Sequence, residues 1–345
     1  MTTNLWAQRG IEERAASGGI GINVLVTGAS GFVGRQLCLA LAAAGYSGLA
    51  VSRQAIRSLP PGWHCRERQA LLAERQTSPR VDVVVHLEAK HHVPSPRSAD
   101  CAEFVRVNVE GTEEWLRWCT QRQIPRFVYF SSIKAVGSSV RCQEESADSL
   151  PSAPYGQSKR DAERRVQRWA ESGDRSALIL RPAVVYGPGT TANIFAMVRA
   201  IDRGLFFLAG ENANVKSLVA LRNVTGAVVH LLPQMSPGCE IYHLVDRSSH
   251  SVREIAGMIA RRLGRAGTPR TLPLPVLRLA ATVGDLLARA GIDVLPISSS
   301  RLEALIETTY FSADKLRASG FVHPQTTEEG IAELVQWYRD SHPRR

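Results

Sequence analysis

Apolar residues in the first half of the chain fall into short, near-continuous runs separated by stretches of helical spacing. Ile22–Val26, Gly48–Ser52, Val81–Leu87, Arg126–Ser132 and Ala177–Leu180 read as strands. Runs without polar alternation belong to strands covered on both faces, as in a parallel sheet. Helical spacing follows over about 32–44, 99–121 and 154–171, and the weakly patterned Pro60–Arg80 segment predicts one short strand and one helix. Such alternation predicts an α/β fold with a doubly wound parallel sheet. From Arg181 onward Pro182, Gly187, Pro188, Gly189 and Gly204 break the rhythm, and two shorter apolar runs, Ser217–Leu221 and Ile241–Val245, sit among helices. The pattern divides the chain into an N-terminal extension (1–20), a sheet domain (21–181) and a smaller C-terminal cap (mostly 182–345). The chain is expected to return to the sheet within 213–247. Leu272–Ile292 is the most apolar late stretch, but Arg278, Asp285 and Arg289 interrupt it, so it predicts an amphipathic helix and no membrane span.

The first strand breaks into Gly28-Ala29-Ser30-Gly31-Phe32-Val33-Gly34 and then a helix. A glycine turn between a strand and a helix lets backbone approach a pyrophosphate, and the helix start presents its N–H groups to the phosphates. This marks a Rossmann-type dinucleotide site. The spacing is G-x-x-G-x-x-G rather than the G-x-G-x-x-G of many dehydrogenases.

Composition narrows the reading only a little. The 345 residues are 44% hydrophobic, enough for one large or two modest cores. The six cysteines form no C-x-x-C and no metal-ligand rhythm with histidine, which suits a reducing cytoplasm. A net charge of +10 favours an acidic partner, but the arginines are scattered and no basic block interleaves with aromatics. Small phosphorylated ligands fit that distribution; nucleic acid does not.

Tyr155-Gly156-Gln157-Ser158-Lys159 opens the helix predicted near 154, about 125 residues after the glycine turn. Residues i and i+4 share a helix face, so the phenol and the ammonium can enter one cleft. A nearby cation favours phenolate and prepares Tyr155 for proton transfer. Ser131 and Ser132 end a predicted central strand, where a hydroxyl can hydrogen-bond a carbonyl or alkoxide oxygen. Each feature alone is commonplace; their order and spacing together are not.

These residues carry a resemblance to the extended short-chain dehydrogenase/reductases, the NAD-dependent epimerase/dehydratase family, over nearly all of 22–340. It rests also on Val85-His86-Leu87, Asn108 through Thr112, Arg126 through Lys134, Arg181-Pro182, Val185 through Gly189, and Asn193. The Ser-Ser-Ile-Lys and Val-Tyr-Gly-Pro-Gly segments look most like UDP-glucose 4-epimerase-like proteins and UDP-4-keto-hexosamine reductases of bacterial surface-polysaccharide synthesis. The resemblance implies Tyr155 as acid/base, Lys159 as the group lowering its pKa, and Ser132, or else Ser131, as the substrate-oxygen partner. It implies cofactor contacts from Gly28, Ser30, Gly31, Phe32, Val33, Gly34, Arg53, Leu87, Ala89, Asn108, Tyr155, Lys159, Pro182 and Val185. Asn193, Lys216 and Arg301 would hold a nucleotide-diphosphate sugar, with no metal. A homodimer fits the same likeness.

Departures from the family pattern set the open questions. Ile133 stands where many epimerases carry a further hydroxyl. Glu88 follows the fourth strand where a small residue is usual, either crowding the pyrophosphate or pairing with Lys90; His91 and His92 read as solvated loop. Lys216 replaces an arginine, and Arg222 an acid. Strand two ends in Ser52-Arg53, with Arg57 beyond and no acid, which favours the 2′-phosphate of NADP(H) over NAD(H). These features give a slight preference for reduction of a UDP-4-keto sugar over 4-epimerisation. Reduction of a non-sugar carbonyl and a non-catalytic dinucleotide sensor are the remaining alternatives.

Overall fold

The structure, a computed structural model, describes residues 21–342 apart from 57, 75–79, 92–97, 152, 192, 211–213, 266, 268 and 290–297. The expected 1–20 extension, Arg57 and His92 lie outside the described residues.

Seven parallel strands form the main sheet in the spatial order β3-β2-β1-β4-β5-β6-β11. They are β1 (Asn23–Thr27), β2 (Ser47–Ser52), β3 (Trp63–Glu67), β4 (Val83–His86), β5 (Arg126–Phe130), β6 (Ser176–Pro182) and β11 (Gly238–Leu244). The early crossovers use α1 (Phe32–Ala43) and α2 (Arg68–Ala73). A composite helix comes next: α3 (Ser98–Phe104), a π-helical segment (Val105–Glu110) and α4 (Gly111–Gln121). It is followed by α5 (Pro154–Glu171). The order reverses between β1 and β4, and ligands of open α/β sheets bind beyond the carboxyl ends of strands at such a point. The glycine turn, Leu87, Ser131 and Pro182 all lie at or just beyond those ends.

The unalternating strands are buried on both faces, as their sequence requires: Val24, Leu25, Val26, Val83, Val84 and Val85 are fully enclosed. One face packs on α1 and the other on Trp115, Leu116, Val166 and Trp169 from α4 and α5.

The remaining elements are β7 (Val184–Tyr186), α6 (Asn193–Asp202), β8 (Leu208–Ala209), β9 (Val215–Lys216), β10 (Leu218–Ala220) and α7 (Leu221–Leu231). After β11 come β12 (His250–Ser251), α8 (Val252–Arg262), β13 (Thr271–Leu272), α9 (Leu274–Arg289), α10 (Ser299–Ile306), α11 (Asp314–Ala318) and α12 (Thr327–Ser341). Of the two short apolar runs, the later one enters the main sheet as β11 beside β6, whereas the earlier one pairs with β7 in a separate two-stranded sheet. Helix α7 packs on α1, so residues 221–244 fold with the large sheet. A separate core formed by α6, α8 and α12 holds Phe195, Val198, Ile255, Ile259, Ile331 and Leu334.

The predicted helix over 99–121 is interrupted where the extra residue of the π-helical segment turns Asn108 inward. Asn108 accepts from Lys90 N at 2.8 Å and donates to Ser158 Oγ at 2.9 Å. These long-range bonds compensate for a turn that helical periodicity would not choose.

Glu163 of α5 and Arg181 of β6 form an enclosed ion pair, with side-chain exposures of only 2% and 4%. Removing one charge of a buried pair leaves the other uncompensated. Glu163→Gln should therefore lower unfolding stability by about 3–5 kcal/mol in a urea titration. A loss below about 1 kcal/mol would show that the pair is not holding helix to sheet.

Candidate active site

The glycine turn is built for close approach. Gly28 has φ +65°, and a Cβ there would lie 3.1 Å from Glu88 N. At Gly34 a Cβ would come within 2.4 Å of Gly28 O and 2.8 Å of Ala29 Cα. Any larger residue would push α1 away from the turn. Gly31 occupies the N-cap position of α1 without a side-chain cap, and the first turn carries no acid. Its N–H groups and dipole are thus available to an anion, and the backbone surface of Gly28, Ser30, Gly31, Phe32 and Val33 fits a dinucleotide diphosphate. Thr27 Oγ1 fixes the facing loop by accepting from Leu87 N and Glu88 N. Its proton then goes to buried His86 Nδ1 at 2.8 Å, leaving Nε2 toward Thr112 Oγ1. Ala89 follows in the same partly buried loop.

On the other side of the switch point, β5 ends at Phe130, and the two serines diverge. Ser131 Oγ donates to Glu163 Oε1 at 2.5 Å, behind the crevice. Ser132 caps the short 3-10 turn Ile133–Ala135 by accepting from Lys134 N, and its hydroxyl lies on the side of the Tyr155 phenol, whose pKa it acts to lower. The geometry therefore brings together Ser132 and Tyr155, not Ser131.

Tyr155 and Lys159 lie one turn apart on α5. The lysine ammonium donates to Phe130 O at 2.8 Å and sits 4.9 Å from the ring of Tyr129. Burial pushes the Tyr155 phenol up to about 12, and the neighbouring Ser132 hydroxyl acts against that rise. Burial also pushes Lys159 down to about 7, opposed by the charge of Glu163. Both groups are driven toward their neutral forms, so the resting phenol is a proton donor. Taking a proton requires its pKa to fall, and a protonated Lys159 is the adjacent charge able to do that.

Glu163 was missed at the sequence level although its spacing offered a signal. Tyr155, Lys159 and Glu163 stand at i, i+4 and i+8, a single line along one helix face. Arg181 closes on Glu163 with two bonds, Nε at 2.9 Å and Nη2 at 2.7 Å.

Glu88 neither faces the glycine turn's phosphate surface nor pairs with Lys90. Its carboxylate accepts from Arg68 Nε at 3.1 Å and Trp115 Nε1 at 3.3 Å. Lys90 pairs instead with Glu103 at 2.7 Å. The correction follows from the sheet: β3 leads directly into α2, which brings Arg68 to the exit of β4. Arg53 is exposed at the end of β2, where Ser52 Oγ accepts from Gln54 N. Pro182 ends β6 and Val185 lies within β7, partly buried at the carboxyl edge.

The expected sugar-diphosphate residues are on the cap. Asn193 is exposed at the first position of α6, and Arg301 is exposed in the first turn of α10. Lys216 on β9 reaches the other end of α10, donating to Ala304 O at 2.7 Å and to Glu307 O. Burial brings its ammonium down to about 8, with Glu307 opposing and Lys134 assisting the shift. Glu307 joins cap to sheet domain, accepting from Lys134 Nζ at 2.6 Å and Ser138 Oγ at 2.5 Å. Arg222, a further departure from the family pattern, pairs with Glu333 at 2.6 Å. Among the described residues no cluster of three or more histidine, cysteine, aspartate or glutamate side chains could hold a metal ion.

Residues 24–243 match the model of the NAD dependent epimerase/dehydratase family. The chain belongs to that family. The enzyme is 29% identical over 321 residues to an N-acetyl-α-D-glucosaminyl-diphospho-ditrans,octacis-undecaprenol 4-epimerase of Escherichia coli O157:H7, covering 91% of this chain and 95% of the relative. It is 27% identical to a UDP-glucose 4-epimerase of Vibrio cholerae, covering 76% and 78% of the two chains. Among solved structures, MoeE5 in complex with UDP-glucose and NAD superposes with a TM-score of 0.68 at 26% identity, covering 92% of this chain and 99% of MoeE5.

The position of Lys159 has a measurable consequence. Its folded pKa of about 7 lies below the ordinary 10.5, so the unfolded chain binds more protons between those values. Its contribution to stability therefore rises with pH from 7 toward 10 and is flat below 7. Lys159→Met should shrink the gain in melting temperature between pH 7 and pH 9. An unchanged gain would mean that the ammonium is not desolvated.

Proposed function

We propose that this enzyme interconverts C4 epimers of a hexose carried on a diphosphate, with a UDP-sugar as the first candidate. The observation that carries the chemistry is the placement of Tyr155 and Lys159 one turn apart on α5, with the lysine held on Phe130 O at the end of β5 and Ser132 next in line there, beside the glycine cradle. A bound nicotinamide dinucleotide would accept and return the hydride. The chain's own part is to move a proton at one oxygen: Tyr155 takes it from the C4 hydroxyl, Ser132 hydrogen-bonds the same oxygen, and Lys159 stabilises the phenolate. Asn193, Lys216 and Arg301 are proposed to grip the diphosphate. The relatives from Escherichia coli and Vibrio cholerae are both named as 4-epimerases, one on an undecaprenol carrier and one on a nucleotide, and a sugar diphosphate is what the two names share.

A second reading, reduction of a 4-keto sugar, is favoured by Arg53 alone. A reductase must exchange spent cofactor, and an arginine at the end of β2 with no acid beside it suits NADP(H). The MoeE5 complex supports NAD(H) instead. Calorimetric titration with both cofactors separates the readings: NAD(H) binding tenfold tighter would remove the role assigned to Arg53. Incubation with UDP-glucose, UDP-N-acetylglucosamine, the undecaprenyl-diphosphate sugar and a UDP-4-keto sugar, with and without NADPH, tests the reaction. Interconversion of gluco and galacto sugars without net cofactor use is expected; stoichiometric NADPH oxidation on the keto sugar alone would overturn epimerisation.

The same reading distinguishes the serines. Ser132→Ala should lower kcat by about 100-fold, within the range for a lost transition-state hydrogen bond. Ser131→Ala should instead act mainly on stability, costing about 1–3 kcal/mol by leaving Glu163 short of a donor. Tyr155→Phe should retain cofactor affinity and lose turnover. A Phe variant keeping more than a few per cent of kcat would remove Tyr155 from proton transfer.

A further inference from the structure

Helix α9 is apolar on two faces, and only one of them is covered. Leu277 and Ala281 face inward against Ala209 and Leu302. On the outer side Val276, Leu279, Val283 and Leu286 are 50%, 68%, 43% and 66% exposed. Their spacing of three, four and three residues places all four on one line, about 15 Å long at the helical rise. An ordinary surface helix would carry polar residues along that line. Leu205, 52% exposed, precedes β8, whose partner β13 leads into α9.

The surrounding charge indicates what would cover the stripe. Residues 270–301 contain four arginines against two aspartates; Arg261, Arg262 and Arg265 further back pair with Glu328 and Asp202. Arg270 just before β13, Arg278 next to Leu279, and Arg301 on the neighbouring helix α10 are all exposed. The one acid within α9, Asp285, is turned toward α10, where both carboxylate oxygens accept from Ser299 N at 3.3 Å. The outer face is thus an aliphatic line with Arg278 on the same helix and further exposed arginines on the elements before and after it, a composition that suits a helix lying in a bilayer interface. None of the described helices is long and apolar enough to span a membrane, so the contact would be peripheral.

We propose that α9 docks this enzyme onto an anionic lipid surface, with Val276, Leu279, Val283 and Leu286 entering the headgroup boundary and the flanking arginines meeting lipid phosphates. Docking is independent of the carrier or direction assigned to the reaction, because its readout is binding and not turnover. The face also has a consequence for the site. Helix α9 packs on α10, whose last carbonyls hold Lys216, so a membrane under α9 would lie on the same part of the cap as the residues proposed for the diphosphate.

Flotation of the full chain with vesicles provides the test, comparing pure phosphatidylcholine with a mixture containing about 30% phosphatidylglycerol. Wild type should float with the anionic vesicles and bind neutral ones at least about tenfold more weakly, and 0.5 M salt should reduce the anionic binding. The double substitution Leu279→Gln and Leu286→Gln should lower vesicle affinity at least about tenfold while leaving the melting temperature and dinucleotide affinity unchanged. Arg278→Glu should weaken anionic binding alone. Wild type remaining soluble with both vesicle types would overturn the proposal, as would equal flotation of the double variant. A wild-type dimer that the double variant abolishes, without vesicle binding, would overturn it in favour of an interface between copies of the chain.

Discussion

The enclosed Glu163–Arg181 pair is the constraint on which the site's geometry depends. Glu163 projects from α5 two turns below Tyr155, and Arg181 comes from the central strand β6. Ser131, at the exit of β5, adds a third hydrogen bond to the same carboxylate. A buried charge tolerates few arrangements, because any displacement strands it in low dielectric. The pair therefore fixes how far along the sheet α5 can slide, and with it where the phenol and the ammonium stand relative to the strand ends. Glu163 also favours the protonated form of Lys159, opposing the burial that lowers its pKa. One carboxylate serves packing and electrostatics together.

This arrangement separates the two adjacent serines, alike in sequence, by function of direction. Both serines lie past the end of β5 and face α5, but Ser131 reaches Glu163 while Ser132, which caps the following turn, lies toward Tyr155 two turns away on the same helix face. The isoleucine that follows is buried in the main core. A hydroxyl at Ile133 would have to find a partner there, so its absence is consistent with local packing and does not by itself argue against catalysis.

Local features were legible before the fold was known. The glycine turn, the unalternating strands and the Tyr-x-x-x-Lys spacing each follow from periodicity or backbone geometry within a few residues. Partnerships between distant segments were not. Glu88 meets Arg68 through sheet order, and the π-helical turn around Asn108 is stabilised by Lys90 and Ser158, well outside any helical window. Lys216 is held by carbonyls 88 and 91 residues away. Charge patterning could suggest that these groups need partners, but only topology decides which ones. Glu163 lies between the two cases: its helix spacing was readable, its partner Arg181 on the strand was not.

The proposed chemistry and the proposed grip on substrate accordingly rest on different foundations. Ser132, Tyr155 and Lys159 are set by the large sheet and its buried ion pair, where displacement is costly. Lys216 and Arg301 belong to short strands and a short helix of the cap, tied to the sheet domain through Glu307 and its exposed-edge contacts with Lys134 and Ser138. Partly exposed ion pairs contribute little net stability, so this seam can adjust at small cost. The proposed reaction would use that division: rigidity where a C4 oxygen would meet Tyr155 and Ser132, and latitude where a diphosphate would have to find positive charge.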